Sequence, residues 1–104
     1  MPTTPKILAA GQLATTKGTI YTAAVANVLI RSIAVSHVAN GTQSVVLYVK
    51  KSGGTSRVLS RATLLTGEYA HEDTVGTLES GDVIEAETTN AASVDYTIMG
   101  VEIT

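Results

Sequence analysis

Apolar and polar positions alternate along several short stretches of this chain. Val45, Leu47 and Val49 fall in one phase and Val46, Tyr48 and Lys50 in the other, and Leu29, Ile33 and Val35 oppose Ser32 and Ser36. A period of two residues is the signature of strands with one buried face, so the first set of each pair is expected to face a core. Turn signals recur about every ten residues: Gly11, Lys17-Gly18, Asn40-Gly41, Ser52-Gly53-Gly54, Thr66-Gly67, Val75-Gly76, Ser80-Gly81-Asp82 and Asn90 to Ser93. That rhythm belongs to an all-β sandwich or barrel. Eight strands are expected, near Lys6 to Leu13, Thr19 to Ala23, Val28 to Val38, Ser44 to Lys51, Ser56 to Ser60, Thr63 to Asp73, Asp82 to Thr88 and Val94 to Ile103.

In the last of these, Tyr96 and Ile98 lie in one phase while Met99, Val101 and Ile103 lie in the other. A bulge near Gly100, or burial on both faces, accounts for the change, and either suits a strand central to the sandwich. Tyr21, Val25, Val28 and Leu29 also fit helical spacing, with Thr19 as a cap. The β pattern on either side favours a loop from Ala23 to Asn27.

Composition strengthens the β assignment: 16 Thr, 12 Val and 7 Ile make 35 β-branched residues in 104. One domain fits that length, and area scaling gives it roughly 5,500 Å² of folded surface, with enough burial for a single core without disulfides. The uncharged run from Gly18 to Ile30 is too short and too polar to span a bilayer, so no membrane partner is expected. The apolar patch Ile7 to Ala10 is too brief for a signal-peptide core, and the chain reads as made and kept in a cytosol.

Charge changes the picture more. All seven bases precede Ala62 and all nine acids follow it. Two arrangements satisfy this: strands from the two halves interleave so that charges mix in space, or the subunit carries one basic and one acidic face suited to head-to-tail pairing. Nucleic acid is a poor partner for either, because the acids outnumber the bases and no aromatic cluster accompanies them.

Candidate chemistry is sparse. There is no cysteine and there are two histidines, so a nucleophile would have to be Ser, Thr or Lys. His37 lies in phase with Ile33 and Val35 and reads as a hydrogen-bonded side chain turned to the core. His71-Glu72-Asp73 reads as a solvated strand end, since zinc requires more ligands than two adjacent ones. Ser52 to Thr55 lacks the spacing of a phosphate loop and reads as a hairpin turn. Asn40-Gly41-Thr42 matches a glycosylation acceptor and, more strongly, a tight turn. Glu79-Ser80-Gly81-Asp82 lacks EF-hand spacing and reads as a turn. No catalytic residue, metal ligand or cofactor site is assigned, and the chain is expected not to be an enzyme.

The order Gly18-Thr19-Ile20-Tyr21-Thr22, Leu29 to Val35, Val46-Leu47-Tyr48-Val49, Leu78-Glu79-Ser80-Gly81-Asp82-Val83-Ile84 and Val94 to Ile103 resembles small virion proteins of tailed bacteriophages. The likeness runs from about Ile7 to Ile103. It implies a compact antiparallel β-sandwich of jelly-roll type that acts by binding, as a decoration (cement) protein on the capsid. The alternative is a tail, baseplate or fibre component. Implied partners are the major capsid protein or other virion proteins, with a homo-oligomer, a trimer foremost, assembled in the host cytoplasm.

Two contact regions are expected. One is an N-terminal arm, Met1 to Leu13, with Pro2, Pro5, Lys6 and Ile7 reaching a neighbour. The other is a basic patch of Lys50, Lys51, Arg57 and Arg61 around one hairpin. A carbohydrate-binding sandwich would need exposed aromatic platforms, and of the four tyrosines Tyr48 and Tyr69 are the surface candidates while at least two pack in the core.

Overall fold

The computed structural model describes residues 6–25, 27–72, 76–90 and 93–103. These form nine strands: β1 (Lys6–Gln12), β2 (Gly18–Thr22), β3 (Asn27–His37), β4 (Gln43–Lys50), β5 (Arg57–Leu64), β6 (Tyr69–Glu72), β7 (Gly76–Leu78), β8 (Val83–Thr88) and β9 (Val94–Ile103). Sheet A has the order β1-β9-β3-β6, with β7 continuing beside β3, and sheet B the order β2-β8-β4-β5. Every pairing is antiparallel. With β6 and β7 taken as one interrupted strand, this is the double Greek key of a jelly roll, as expected. Total accessible surface is 5555 Å², close to the scaling value for one well-packed domain of this length.

Inward residues of both sheets close the core. Val28, Ile84, Val94 and Ile98 are wholly buried, and Ile30, Ile33, Val35, Val45 and Leu47 interleave with them. Burying side chains of this kind, each worth roughly 1.5–3 kcal/mol, is what holds the two sheets together. Tyr21 is buried, Tyr96 packs against the core over Gly11, and Tyr69 stands exposed. The interior retains a cavity of about 20 Å³ between β5 and β6, bordered by Ser60, Ala62 and Ala70, which is room for one water.

Several expectations are corrected. Leu29 does not share the inner face with Ile33 and Val35. Between Ile30 and Ser32 the register against β9 shifts, leaving Arg31 as an extra residue, so Val28 and Ile30 point inward before the bulge and Ile33, Val35 and His37 after it. β9 itself runs regularly, with Ile98 buried on the inner side and Val101 on the outer, so of the two accounts given for Gly100 burial on both faces holds, and the bulges lie on the neighbouring strands, here and at Leu8 of β1. β9 is central, as expected.

The break expected between Ser60 and Thr63 is absent, and β5 runs through it. The chain turns instead at 65–68, where Gly67 has φ of +81°, which a side chain disfavours. The short strand β7 at Gly76–Leu78 was not anticipated. Of the ambiguous segment, residues 23–25 form no helix, and Asn27, expected to end the loop, already opens β3.

Gly100 has the most constrained glycine environment. A Cβ there would lie 2.1 Å from the Leu29 carbonyl oxygen and 3.0 Å from Leu8 Cδ1. The two flanking bulges close over this position, and the backbone atom cannot swing away as a side chain would. Gly100→Ala is expected to destabilise the fold by more than about 2 kcal/mol in urea unfolding, whereas Gly18→Ala, whose Cβ would meet nothing closer than 3.8 Å, changes it by less than about 0.5 kcal/mol.

Candidate interaction surface

The loops at the two ends of the sandwich are tied down by buried polar side chains. At one end Asp82, 2% exposed, accepts hydrogen bonds from the Ser52 amide at 2.9 Å and the Glu79 amide at 3.0 Å, and its Oδ2 pairs with Lys51 Nζ at 3.2 Å. Its own carbonyl accepts from the Ala23 amide at 2.9 Å. One aspartate thus links the β2–β3, β4–β5 and β7–β8 connections. The two amides hold its carboxyl below the ordinary aspartate range, and Lys51 adds to the effect. In the sequence this residue was legible only as part of a turn. An acid set between that turn and the apolar pair Val83-Ile84 was the available signal.

At the other end His37 is buried, with Nε2 donating to the Gly41 carbonyl at 2.5 Å and Nδ1 accepting from the Ala39 amide at 3.2 Å. Gln43, also buried, accepts from the Asn90 amide at 2.9 Å. Both ring nitrogens of His37 are engaged with backbone, which fixes the β3–β4 turn. His71, by contrast, lies exposed on β6, its ring edge-on to Tyr69 with centroids 5.3 Å apart. Asp73 lies outside the described residues.

The two outer faces differ in chemistry. On sheet B, register places Arg61 beside Val46 and Val46 beside Glu87, and Tyr48 beside both Val58 and Glu85. Tyr48 donates to Glu87 at 2.5 Å, Ser56 donates to Glu85, and Lys17 Nζ lies 4.8 Å from the Tyr48 ring centroid. The hydrogen bond to Glu87 pushes the Tyr48 hydroxyl pKa up. The two carboxylates of this face are thus met by hydroxyls, and Lys17 by a ring.

Sheet A's outer face presents Ile7 opposite Met99, Leu29 opposite Val101, Ala34 opposite both Thr97 and His71, and Ser36 opposite both Asp95 and Tyr69. Ile7 is 63% exposed, Leu29 and Met99 37% each, and Tyr69 69%. Val101 is 7% exposed yet stands apart from the interior core, on this outer side. Asp95 is the one carboxylate the register sets on this face among the residues whose side chains are described, and its Oδ1 is buried without a hydrogen-bond partner.

The residues of the expected basic patch lie around the β4–β5 connection and along β5. Lys51 bonds Glu79 at 2.8 Å as well as Asp82, contacts that raise its pKa. Lys50 lies beside Val83 at the end of β4. Arg57 and Arg61, four apart, would share a face in a regular strand, but a bulge at Leu59 puts Arg61 opposite the outward Val46 and Arg57 opposite the inward Val49.

Of the expected arm, Lys6–Gln12 is β1 and Leu13 is a core residue, while Pro2 and Pro5 lie outside the described residues. Lys6 pairs with Glu102 at 2.6 Å, and Tyr21 donates to the same carboxylate at 3.4 Å. Lys6, first among these contacts, holds the Glu102 carboxyl below the ordinary range. Of the two named arm residues that are described, Lys6 is thus paired and Ile7 projects outward. The two halves' opposite charges mix in space: acidic β8 lies between β2 and β4, and β9 between β1 and β3.

No protein-family model and no curated protein sequence matches the chain. Among solved structures it is similar to a chain described under "Bacillus endospore appendages form a novel family of disulfide-linked pili", with TM-score 0.55 and 19% identity over 96% of this chain and 84% of that one. Weaker likenesses are to "Crystal structure of PirA", TM-score 0.41 and 10% identity over 96% and 84%, and to a chain of the infectious bursal disease virus Gx strain, TM-score 0.48 and 13% identity over 96% and 32%. At such identities the first likeness establishes a shared fold. This chain has no cysteine, so the disulfide linkage named for the endospore appendages is not open to these residues.

A carboxyl whose folded pKa lies below its unfolded value stabilises the fold above the unfolded value, and that stabilisation is lost as pH falls through the folded pKa. Asp82 and Glu102 both behave so. Asp82→Asn is therefore expected to be less stable than the parent at pH 7, with the gap narrowing below about pH 4 as the parent's own carboxylate protonates. Urea unfolding at pH 7 and pH 3 measures this, and a gap that stays constant contradicts it.

Proposed function

We propose that the chain is a non-enzymatic structural subunit of a repeated assembly, and specifically a decoration protein bound in many copies to a phage capsid. The observation that carries this reading is the closed jelly roll whose loop ends are tied by Asp82 and His37 while one broad, nearly uncharged sheet face is left to solvent. Such a body is suited to fixed contacts with neighbours and not to loop-borne catalysis. The resemblance of the strand motifs to small phage virion proteins supports the capsid reading, and the fold shared with a pilus-forming protein supports assembly in general. The pilus likeness also favours a second reading, a subunit of a filament or tail.

Copy number separates these. Quantitative mass spectrometry of purified particles is expected to give a ratio near one to the major capsid protein. A ratio near one in a hundred assigns a tail or filament component, and absence from particles overturns both virion readings. A further expectation concerns residues 2–5: deleting them while keeping Lys6 leaves the thermal midpoint within about 3 °C, because the Lys6–Glu102 pair and β1 are retained. If Pro2 and Pro5 reach a neighbour, the same deletion weakens attachment to particles.

A further inference from the structure

Two kinds of surface let a β-sandwich join copies of itself: free strand edges and open sheet faces. The edges are blunted here. Among the described residues β1 carries an extra residue at Leu8, β2 at Ile20 and β5 at Leu59, and the fourth edge is made by two short strands, β6 and β7. Each irregularity breaks the even row of amides and carbonyls that an added strand would need, as sheets do where edge pairing is avoided. Sheet B's outer face is the charged one, with Lys17, Arg61, Glu85 and Glu87 around Tyr48. Sheet A's face is not.

We propose that the outer face of sheet A is the surface on which a second copy of this chain docks, a proposal that rests on the assembly reading above and names its contact. Ile7, Met99 and Leu29 are exposed together there, joined by cross-strand pairing through Val101. Apolar groups held on a rigid sheet lose little freedom on contact, and excluding water from them favours association.

Size fits as well. Strands about 4.8 Å apart, with 7 residues in β1, 10 in β9, 11 in β3 and 4 and 3 in β6 and β7, at about 3.4 Å each, present roughly 570 Å² in projection, a large part of the roughly 800 Å² per partner of a stable interface. With no cysteine to link subunits, buried area has to supply the cohesion.

Charge placement argues for a second copy in particular. Arg31, the extra residue of the β3 bulge, is exposed beside Ser32 and Met99, and Asp95 lies near the opposite end of the same face. A twofold axis lying between two such faces, running across the strands at the Ala34–Thr97 row, reverses the rows. It sets Arg31 of each copy against the Asp95 row of the other. One face then carries both halves of two symmetry-related opposite-charge contacts, as an isologous interface requires.

The test compares Ile7→Glu, Met99→Glu and Arg31→Glu on sheet A with Val58→Glu on sheet B, each residue being exposed in the subunit. Circular dichroism checks folding, and analytical ultracentrifugation of the full chain over a concentration series reads association. The sheet A variants are expected to weaken self-association at least about tenfold while Val58→Glu leaves it unchanged. Association of folded Ile7→Glu and Met99→Glu at parental strength, or loss confined to Val58→Glu, overturns this face and leaves the assembly reading standing. Parental association of Arg31→Glu alone overturns the twofold orientation. A parent chain monomeric up to about 1 mM overturns self-docking, and if Ile7→Glu then loses particle binding, the face belongs to a foreign partner. A monomer also absent from particles overturns the assembly reading itself.

Discussion

Every strand ladder among the described residues joins one of β1–β4 to one of β5–β9. The molecule is a long antiparallel hairpin, hinged at the turn after Lys50, that has been folded over into two sheets. From that pairing follows the fate of the charges. The first half, up to Lys50, carries four bases and no acid, the second carries all nine acids together with Lys51, Arg57 and Arg61, and strand interleaving puts the two in neighbouring rows. Lys6 meets Glu102 across β1 and β9, and Lys51 meets Glu79 and Asp82 where the turns converge. The Lys51–Glu79 pair, exposed on both sides, adds little stability, but a first half without acids disfavours pairing within itself, where like charges would adjoin.

The same pairing sets the shape of the surface. β9, β3, β8 and β4 are the inner strands and carry most of the deepest side chains, and irregularities collect on the outer strands. The exception is the bulge at Arg31 in β3, and it has two effects. It turns Leu29 outward to join Ile7, Met99 and Val101, and it forces Gly100 to lie bare against the Leu29 carbonyl. An apolar outer patch and an obligatory glycine are thus two consequences of one inserted residue.

Much of this was legible in the chain. β-branched composition, turn spacing and strict alternation in Ser44 to Lys50 gave the sandwich, and the phase change near Gly100 gave the central position of β9. Bulges were the limit. An inserted residue leaves no composition signal, so Leu29 was assigned inward, and Arg57 and Arg61 were assigned to one patch that Leu59 divides. The outer face of sheet A was illegible for a further reason: its members come from four strands distant in sequence and meet only through register. Asp82 was hidden in the same way, since its partners Ser52 and Lys51 lie thirty residues earlier.

The central claim is that copies meet through the outer face of sheet A. Hydroxyl-radical footprinting of the assembled and the dilute protein tests it most directly, because Met99 on that face and Tyr48 on the other are both readily oxidised side chains. The account predicts that assembly protects Met99, with Ile7 and Leu29, and leaves Tyr48 and Val58 as reactive as before. Protection of Tyr48 and Val58 with Met99 unchanged would contradict it.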